Sequence, residues 1–485
     1  MIKIMLVPAP HIVARCSPSL SRGISTLYAD LTDRGFISQV TRPQQLSHAL
    51  ETASQTVYSG IDPTGPALHI GHLFPMMCLL HFELRNHNTI PLIGGATGLV
   101  GDPSGRLTER SPADVRLVHD NVLALSRGVT RFFRGAFEYA GMRMQGGFKP
   151  TRDEVHVKSN LEWYENFGIL EFLQRVGVNA RVNTMLTRES VRARLESKHG
   201  MSFTEFTYQL LQAYDFYYLH KHYGCTIQVG GSDQWGNIVA GVELIGRLNA
   251  PSNTVSEPFG VTTPLLTTAS GEKFGKSAGN AIWLDSTLTS VFDFYQYFVK
   301  VEDADVEKYL KLFTLLSLPE IHDIVEAHKL EPEKRSAQRR LAAEVTELVH
   351  NSRSSAFWPR IEVHGQAGEA VARAETVSKI LFREASVRAQ DIDMHSLLKA
   401  FEGDPRLIWC DQKELQSTPV WKLASRHGLV SSNSIARYLI QSKGLYFNDQ
   451  VVPEIHFTAT SEHLIEGRIL ILRAGKGKVI VLASK

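Results

Sequence analysis

The stretch Tyr58-Ser59-Gly60-Ile61-Asp62-Pro63-Thr64, followed after a short gap by His69-Ile70-Gly71-His72, decides the fold of this chain. It reads as a strand that ends in a polar turn and leads into a helix, with two imidazoles at the helix N-terminus. Such a terminus carries unpaired backbone N–H groups and the positive end of the helix dipole, so it attracts phosphate. Far downstream stands Lys273-Phe274-Gly275-Lys276-Ser277, which offers two cations to the same kind of anion. Neither motif is decisive alone, because histidines at a helix start can be simple caps and a Lys-rich turn can be merely solvated. Together they point to chemistry at an ATP phosphate.

Working outward, short apolar runs at 56–60, 89–94, 154–158 and 226–230 alternate with helical patterning. That alternation predicts a parallel sheet covered by helices, with ligands gathered at the carboxyl ends of the strands. Beyond about residue 285 the strands give way to helical patterns at 291–316, 320–328 and 336–350, which read as a separate all-helical domain. A polar stretch at 411–419 leads into a compact basic segment, 420–485, with helical and strand-like runs in turn.

With 485 residues, 43% apolar content and no long uninterrupted apolar run, the chain can build several cores and carries no helical membrane span. Its net charge of +2 hides an asymmetry: residues 418–485 hold nine Lys/Arg against four Asp/Glu, residues 1–29 hold three bases and no acid, and the remainder stands at −6. A basic tail for a polyanion, attached to a neutral-to-acidic enzyme body, fits that pattern. Cys16, Cys78, Cys225 and Cys410 are too scattered for a zinc site or a disulfide framework, which implies a reducing compartment and no structural metal. Residues 1–29 mix Lys3, Arg15 and Arg22 with serines and apolar residues, the composition of a mitochondrial transit peptide, although Pro8, Pro10 and Pro18 interrupt any long amphipathic helix. Cleavage between Arg22 and Ala29 would leave a body starting near Asp30.

A second functional helix is announced by Ser202-Phe203-Thr204-Glu205, a capping box ahead of a long periodic stretch. On it Tyr208, Gln212 and Asp215 fall on one face. For an isolated helix that face would simply be solvated. Its company changes the reading: Gly98-Leu99-Val100-Gly101-Asp102-Pro103-Ser104-Gly105 and Gly230-Gly231-Ser232-Asp233-Gln234-Trp235-Gly236 are both polar turns where a ligand could approach the backbone closely.

At this point the residues resemble a known family, the bacterial and organellar tyrosyl-tRNA synthetases, which are class I enzymes with a Rossmann-like catalytic domain. The resemblance runs from about Leu27 to the C-terminus, and its most specific part is the pair Tyr58 and Asp215, within complete Tyr-x-Gly-x-Asp-Pro-Thr and Tyr-x-x-x-Gln-x-x-Asp patterns. It implies that Tyr58 and Asp215 contact the substrate hydroxyl, that Asp102, Tyr208 and Gln212 hold the α-ammonium, and that Gln234 lies close by. It assigns Asp233 to the ATP ribose, Asp62 and His72 to the nucleotide side, and Thr64 with His69 to the phosphates. Lys273 and Lys276 match a KMSKS-type loop that closes over pyrophosphate, Arg106 and Arg110 a second loop with the same task, and Mg²⁺ is expected with ATP as a counter-charge. No protein ligand set for a metal is expected. The reaction implied is tyrosine activation to the adenylate, then transfer to the 3′-terminal ribose of tRNA-Tyr, in the mitochondrial matrix, by a homodimer. Asn160 and Trp163 match a region near the dimer interface and acceptor stem, and are expected to contact tRNA.

The domains implied are a transit peptide at 1–29, a Rossmann-like α/β catalytic domain at 30–258 with an inserted dimerisation region, a KMSKS-type linker at 259–287, a helical anticodon-binding domain at 288–410 and a small α+β RNA-binding domain at 418–485. The last resembles a module shared with a ribosomal small-subunit protein, with Arg437 and Lys443 facing phosphate, although the family often has two glycines where this chain has Lys443-Gly444. Two further departures are Pro75, just inside the His69-Ile70-Gly71-His72 helix, and an apparent insertion at 352–363. A tryptophan-specific relative would share the fold and both phosphate motifs but lacks the Tyr58/Asp215 logic. The alternative from another class is an RNA-binding protein that folds or splices group I introns on the same scaffold, in addition to charging or instead of it.

Overall fold

The computed structural model describes residues 26–106, 108, 113–144, 155–197, 200–249, 257–269, 274, 276–277, 280–350, 371–374, 376–377, 393–475 and 478–484, with the backbone alone at 276–277 and 280. The expectations for Lys273, Arg110, the insertion at 352–363 and most of the transit peptide lie outside these residues. A six-stranded sheet runs in the order β1-β6-β5-β2-β3-β4, comprising β1 (Gln39–Val40), β2 (Thr56–Ile61), β3 (Asn88–Ile93), β4 (Lys158–Ser159), β5 (Cys225–Gly231) and β6 (Phe259–Thr263). All neighbours pair in parallel except the edge strand β1, which runs antiparallel to β6. The chain steps from β2 outward to β3 and β4, then returns to add β5 and β6 on the other side of β2. The switch in direction lies between β2 and β5, the point at which an open α/β sheet forms its ligand crevice beyond the strands' carboxyl ends.

Strand β6 corrects the expected boundary at 258. Phe259-Gly260-Val261-Thr262-Thr263 is wholly buried and belongs to the catalytic sheet, but it is short and glycine-containing, so its sequence signal was weak. The N-terminal boundary moves as well. Thr26 caps the Leu27–Arg34 helix by accepting from the Ala29 N–H at 3.2 Å, and Leu27 and Leu31 enter the core, so the folded body starts before Asp30.

The Ile70–Glu83 helix is apolar nearly all round, as a helix wedged between two layers must be. Pro75 lies in its second turn and so removes one intrahelical bond. Against it packs the Asp303–Phe313 helix, on which the Leu318–Leu330 and Ser336–His350 helices pack in turn, and the Val291–Val299 helix packs on the last of these. These are not a separate domain in packing terms, because one hydrophobic core contains Leu73, Phe74 and Ile227 together with Phe298, Phe313 and Leu341. Arg34 reinforces the junction by donating to the carbonyls of Thr314 and Leu316, at 3.4 and 2.9 Å.

The C-terminal unit has its own sheet, ordered β11-β10-β12-β13-β9, from β9 (Leu407–Cys410), β10 (Leu445–Phe447), β11 (Gln450–Val451), β12 (Ile469–Ala474) and β13 (Lys478–Ser484). Because β9 pairs in parallel with β13, and Leu397 and Phe401 pack against Ile469 and Val481, this unit reaches back across the expected boundary at 410. Among the described residues no helix is long and apolar enough to cross a membrane.

Candidate active site

The floor of the crevice is built by β2 and the Phe203–Tyr223 helix. Ser202 starts that helix by accepting from the Glu205 N–H at 3.3 Å, half of the expected capping box, while the Glu205 carboxylate turns elsewhere. One face then carries Tyr208, Gln212 and Asp215 inward, with Tyr208 and Asp215 buried. Asp215, only 2% exposed, accepts from the Asn160 side-chain amide at 3.0 Å and from the Trp163 indole N–H at 2.9 Å. Burial raises its carboxyl to about 7, against the pull of those two donors. Nearby on β2, Tyr58 is 1% exposed and its hydroxyl is buried with no hydrogen-bond partner. A buried hydroxyl without a partner costs free energy unless a ligand supplies one.

Asn160 and Trp163 therefore require a correction. Both were expected at a tRNA-facing surface, yet Asn160 is 0% and Trp163 6% exposed, and their polar atoms are committed to Asp215. They sit directly after β4, at the same carboxyl edge as the other site residues. Asn160 also accepts from the Ala96 N–H at 2.7 Å and donates to Thr97 Oγ1 at 3.1 Å. Thr97 in turn donates to Asp62 at 3.0 Å, and the Tyr208 hydroxyl donates to the other Asp62 oxygen at 3.0 Å. Asp62 thus joins the chain of bonds that begins at Asp215. Gly94 makes the junction possible, since a Cβ there would lie 2.3 Å from both Asp62 Oδ1 and Thr97 Oγ1.

A second network closes the next wall. Asp102 accepts from Gln234 Nε2 at 2.7 Å and from the Ser104 N–H at 2.9 Å. Asn237, which sequence reasoning did not single out, donates to Gln212, Gln234 and Ser104 at 3.1 to 3.3 Å. Its only signal was its place one residue past the Gly230–Gly236 turn.

At the rim, His69 is the N-cap of the Ile70–Glu83 helix, and its Nδ1 accepts from the Gly71 N–H at 3.1 Å. His72 Nδ1 accepts from the His69 N–H, also at 3.1 Å, and the two rings stack with centroids 3.8 Å apart. With Nδ1 accepting, each ring carries its proton on Nε2, the tautomer that donates to a phosphate oxygen. Thr64, Asp233 and Arg106 are exposed. The described end of the second motif returns to this rim: β7 (Lys276–Ser277) pairs with β8 (Asn280–Ala281), and the residues that follow hydrogen-bond to the His69 segment through Ile70 N to Ile282 O at 2.9 Å and Leu284 N to Leu68 O at 2.8 Å. Phe274, buried, stacks on Phe313 with ring centroids 5.3 Å apart. The Lys276–Ser277 backbone, remote in sequence from His69, is thus its neighbour in space.

A protein-family model described as tRNA synthetases class I (W and Y) matches residues 50–356. The chain is 38% identical to the mitochondrial tyrosine–tRNA ligase of Saccharomyces cerevisiae, over 94% of this chain and 88% of that protein. The chain belongs to the class I tyrosyl-tRNA synthetases. Tyrosine–tRNA ligase 1 of Bacillus subtilis is 37% identical over 95% of this chain and 100% of its own length. Among solved structures, a C-terminally truncated mitochondrial tyrosyl-tRNA synthetase of Aspergillus nidulans superimposes with a TM-score of 0.63 at 35% identity, covering 68% of this chain and 91% of that one. In this synthetase the C-terminal unit places Arg437 over the Trp421 ring, 4.1 Å from its centroid, and leaves Lys443 exposed with a left-handed φ of 54°. A left-handed φ is one that glycine adopts without strain, which gives a backbone reason for the expected glycine in place of Lys443.

Proposed function

We propose that the chain is a tyrosine–tRNA ligase of mitochondrial translation. It activates L-tyrosine with ATP, giving tyrosyl-adenylate and pyrophosphate, and then passes the tyrosyl group to the 3′-terminal ribose of tRNA-Tyr. The observation that carries the tyrosine specificity is the buried Tyr58 hydroxyl without a partner, beside an Asp215 carboxylate held in place by Asn160 and Trp163. A substrate phenol satisfies both groups, whereas phenylalanine leaves them unmatched in a dry site. Asp102, Tyr208 and Gln212 hold the α-ammonium, with Gln234 beside them.

The tyrosine carboxylate attacks the α-phosphorus in line, and no side-chain nucleophile is needed. The chain contributes position and charge: Thr64 and His69 toward the phosphates, Asp62, His72 and Asp233 on the nucleotide side, and Lys273, Lys276, Arg106 and Arg110 toward the departing pyrophosphate. Mg²⁺ accompanies ATP as a counter-charge on its phosphate oxygens.

A homodimer is supported by exposed apolar side chains within residues 169–203. Ile169, Leu170, Val178, Val182 and Phe203 are exposed, Phe203 at 77%. So many exposed apolar side chains within one stretch of chain are in keeping with an interaction surface. The C-terminal unit, with Arg437 and Lys443, is the tRNA handle. Relatives from yeast, rat and fly are named mitochondrial, which supports a place in that organelle, and the work of charging tRNA puts it in the matrix. The test is aminoacylation of mitochondrial tRNA by residues 26–485 with labelled tyrosine, tryptophan or phenylalanine. Tyrosine alone is expected to be attached; attachment of tryptophan, or of none, contradicts the reading.

A further inference from the structure

Arg194, on the Glu189–Leu195 helix, is the largest fully buried side chain of the molecule's described residues, and it lies outside every role assigned above. Its guanidinium uses all five N–H donors. Two go to the Glu205 carboxylate, Nη1 to Oε1 at 3.2 Å and Nη2 to Oε2 at 2.7 Å. Two more, from Nε and Nη2, meet the Gly200 carbonyl at 3.1 and 2.9 Å. The fifth, from Nη1, meets the Thr108 carbonyl at 3.2 Å.

These partners belong to two different parts of the site. Glu205 stands in the first turn of the helix that carries Tyr208, Gln212 and Asp215. Thr108 stands two residues beyond Arg106, in the loop that starts at Asp102. That loop is fixed at its beginning by Ser104 beneath Asn237, at 3.3 Å, and by Gly105, which has a left-handed φ and lies against Asp233. Between that fixed beginning and Thr108 lies the exposed Arg106. The Thr108 carbonyl gives the segment bearing Arg106 a second fixed point, on the side away from Ser104.

We propose that Arg194 is a positioning residue for adenylate formation: through the Thr108 carbonyl it holds the Arg106 loop in register with the tyrosine-binding helix. This rests on the reading above, in which Arg106 attends the pyrophosphate. The pair is not a surface ornament, since a buried, doubly bonded Arg–carboxylate contact fixes both distance and angle. It also explains why the capping box is half formed: the Glu205 carboxylate is drawn to Arg194 and cannot return to the Ser202 N–H.

The test is Arg194→Lys, which keeps the charge beside Glu205 but lacks the planar fork that reaches Thr108 at the same time. Rates of tyrosine-dependent ATP–pyrophosphate exchange are expressed per tyrosine-binding site, counted by equilibrium dialysis, so that misfolded chains do not enter. The expected result is a fall in kcat of at least about tenfold, with the tyrosine Kd within about threefold of the parent. Glu205→Gln, a second and milder variant, is expected to show the same split with a smaller fall. Combined with Arg106→Ala, Arg194→Lys is expected to add less than about twofold to the loss from Arg106→Ala alone, because the two act through one contact. An unchanged kcat, a tyrosine affinity that falls in step with kcat, or losses that multiply would each overturn the proposal. If Arg106→Ala alone leaves exchange unaltered, the loop reading itself fails, and the proposal with it; a loss there with none in Arg194→Lys would refute the proposal only.

Discussion

The tyrosine half and the phosphate half of this crevice are built on different principles. Around Tyr58, Asp102, Tyr208 and Asp215 the side chains are buried and bonded to one another, and Asn160, Trp163, Thr97 and Asn237 act as a supporting layer. Around Thr64, Asp233 and Arg106 they are exposed, and the organised features are a helix terminus and the backbone pairing of Leu68 and Ile70 with Leu284 and Ile282. A phenol is a small, neutral group that can be told from a phenyl ring only in a dry site where an unmatched polar group is costly. A triphosphate is a large charge that must enter, react and leave as pyrophosphate, so open loops and mobile cations serve it better than a closed cage.

The comparison predicts that damage to one half should not spread to the other. Asp215→Ala orphans two buried donors, at about 1–3 kcal/mol each, so kcat/KM for tyrosine should fall by roughly a thousandfold while the KM for ATP stays within a few-fold. Equal losses for both substrates would break the division. Lys276→Ala is the mirror experiment. Adenylate formation in a single turnover should slow by about a hundredfold, with tyrosine binding by dialysis nearly unchanged, as for the loss of one charge-stabilising donor.

Removal of residues 394–485, a cut that respects the sheet containing β9, should leave pyrophosphate exchange intact and lower tRNA charging by about tenfold or more. Charging by the full chain should fall steeply with added salt as phosphate contacts are screened. Undiminished charging by the shortened chain would show that its tRNA handle lies elsewhere. Tyr58→Phe should cost about tenfold in tyrosine affinity, the worth of one hydrogen bond in a dry site, without lowering Tm, since it removes a hydroxyl that has no partner in the free protein.

The smallest effect concerns pH. Burial lifts Asp215 from an ordinary value of 3.8 to about 7, so between those values the folded chain holds a proton that the unfolded chain has lost. The stabilisation from this group is complete below about pH 4 and disappears as pH rises toward 7. Melting curves of the parent and Asp215→Asn should therefore differ in slope over that window and run parallel above it; identical pH profiles would mean that Asp215 is ionised throughout.

The parts of this architecture that were legible in the sequence are those where local chemistry is decisive. Strands β2, β3 and β5 were visible as apolar runs ending in polar turns, and the Phe203–Tyr223 helix was marked by Ser202. The His69-Ile70-Gly71-His72 and Lys273–Ser277 motifs were recognisable, but the backbone pairing of residues 68–70 with 282–284 was not, because it depends on long-range folding. The edge strand β1 has only two residues, and β6 is interrupted by glycine, so neither stood out. Asn160 and Trp163 were expected at tRNA because they match a region that the resembled family places near the dimer interface and acceptor stem, and nothing local in the sequence tied them to Asp215. Their burial beneath Asp215 depends on which strand lies beside which. Arg194 was invisible for the same reason, since an arginine on a short helix among exposed neighbours reads as solvated until its partners from three other segments are seen around it.

The most direct test of the division between a closed tyrosine pocket and an open phosphate rim is ATP–pyrophosphate exchange without tRNA, comparing tyrosine, phenylalanine and tryptophan on residues 26–485 and on Tyr58→Phe. Exchange with tyrosine alone in the parent, and a preference over phenylalanine reduced by about tenfold in the variant at an unchanged KM for ATP, is the predicted result. Exchange with phenylalanine or tryptophan in the parent at a rate comparable to that with tyrosine, or a variant that loses ATP use as much as tyrosine use, would contradict it.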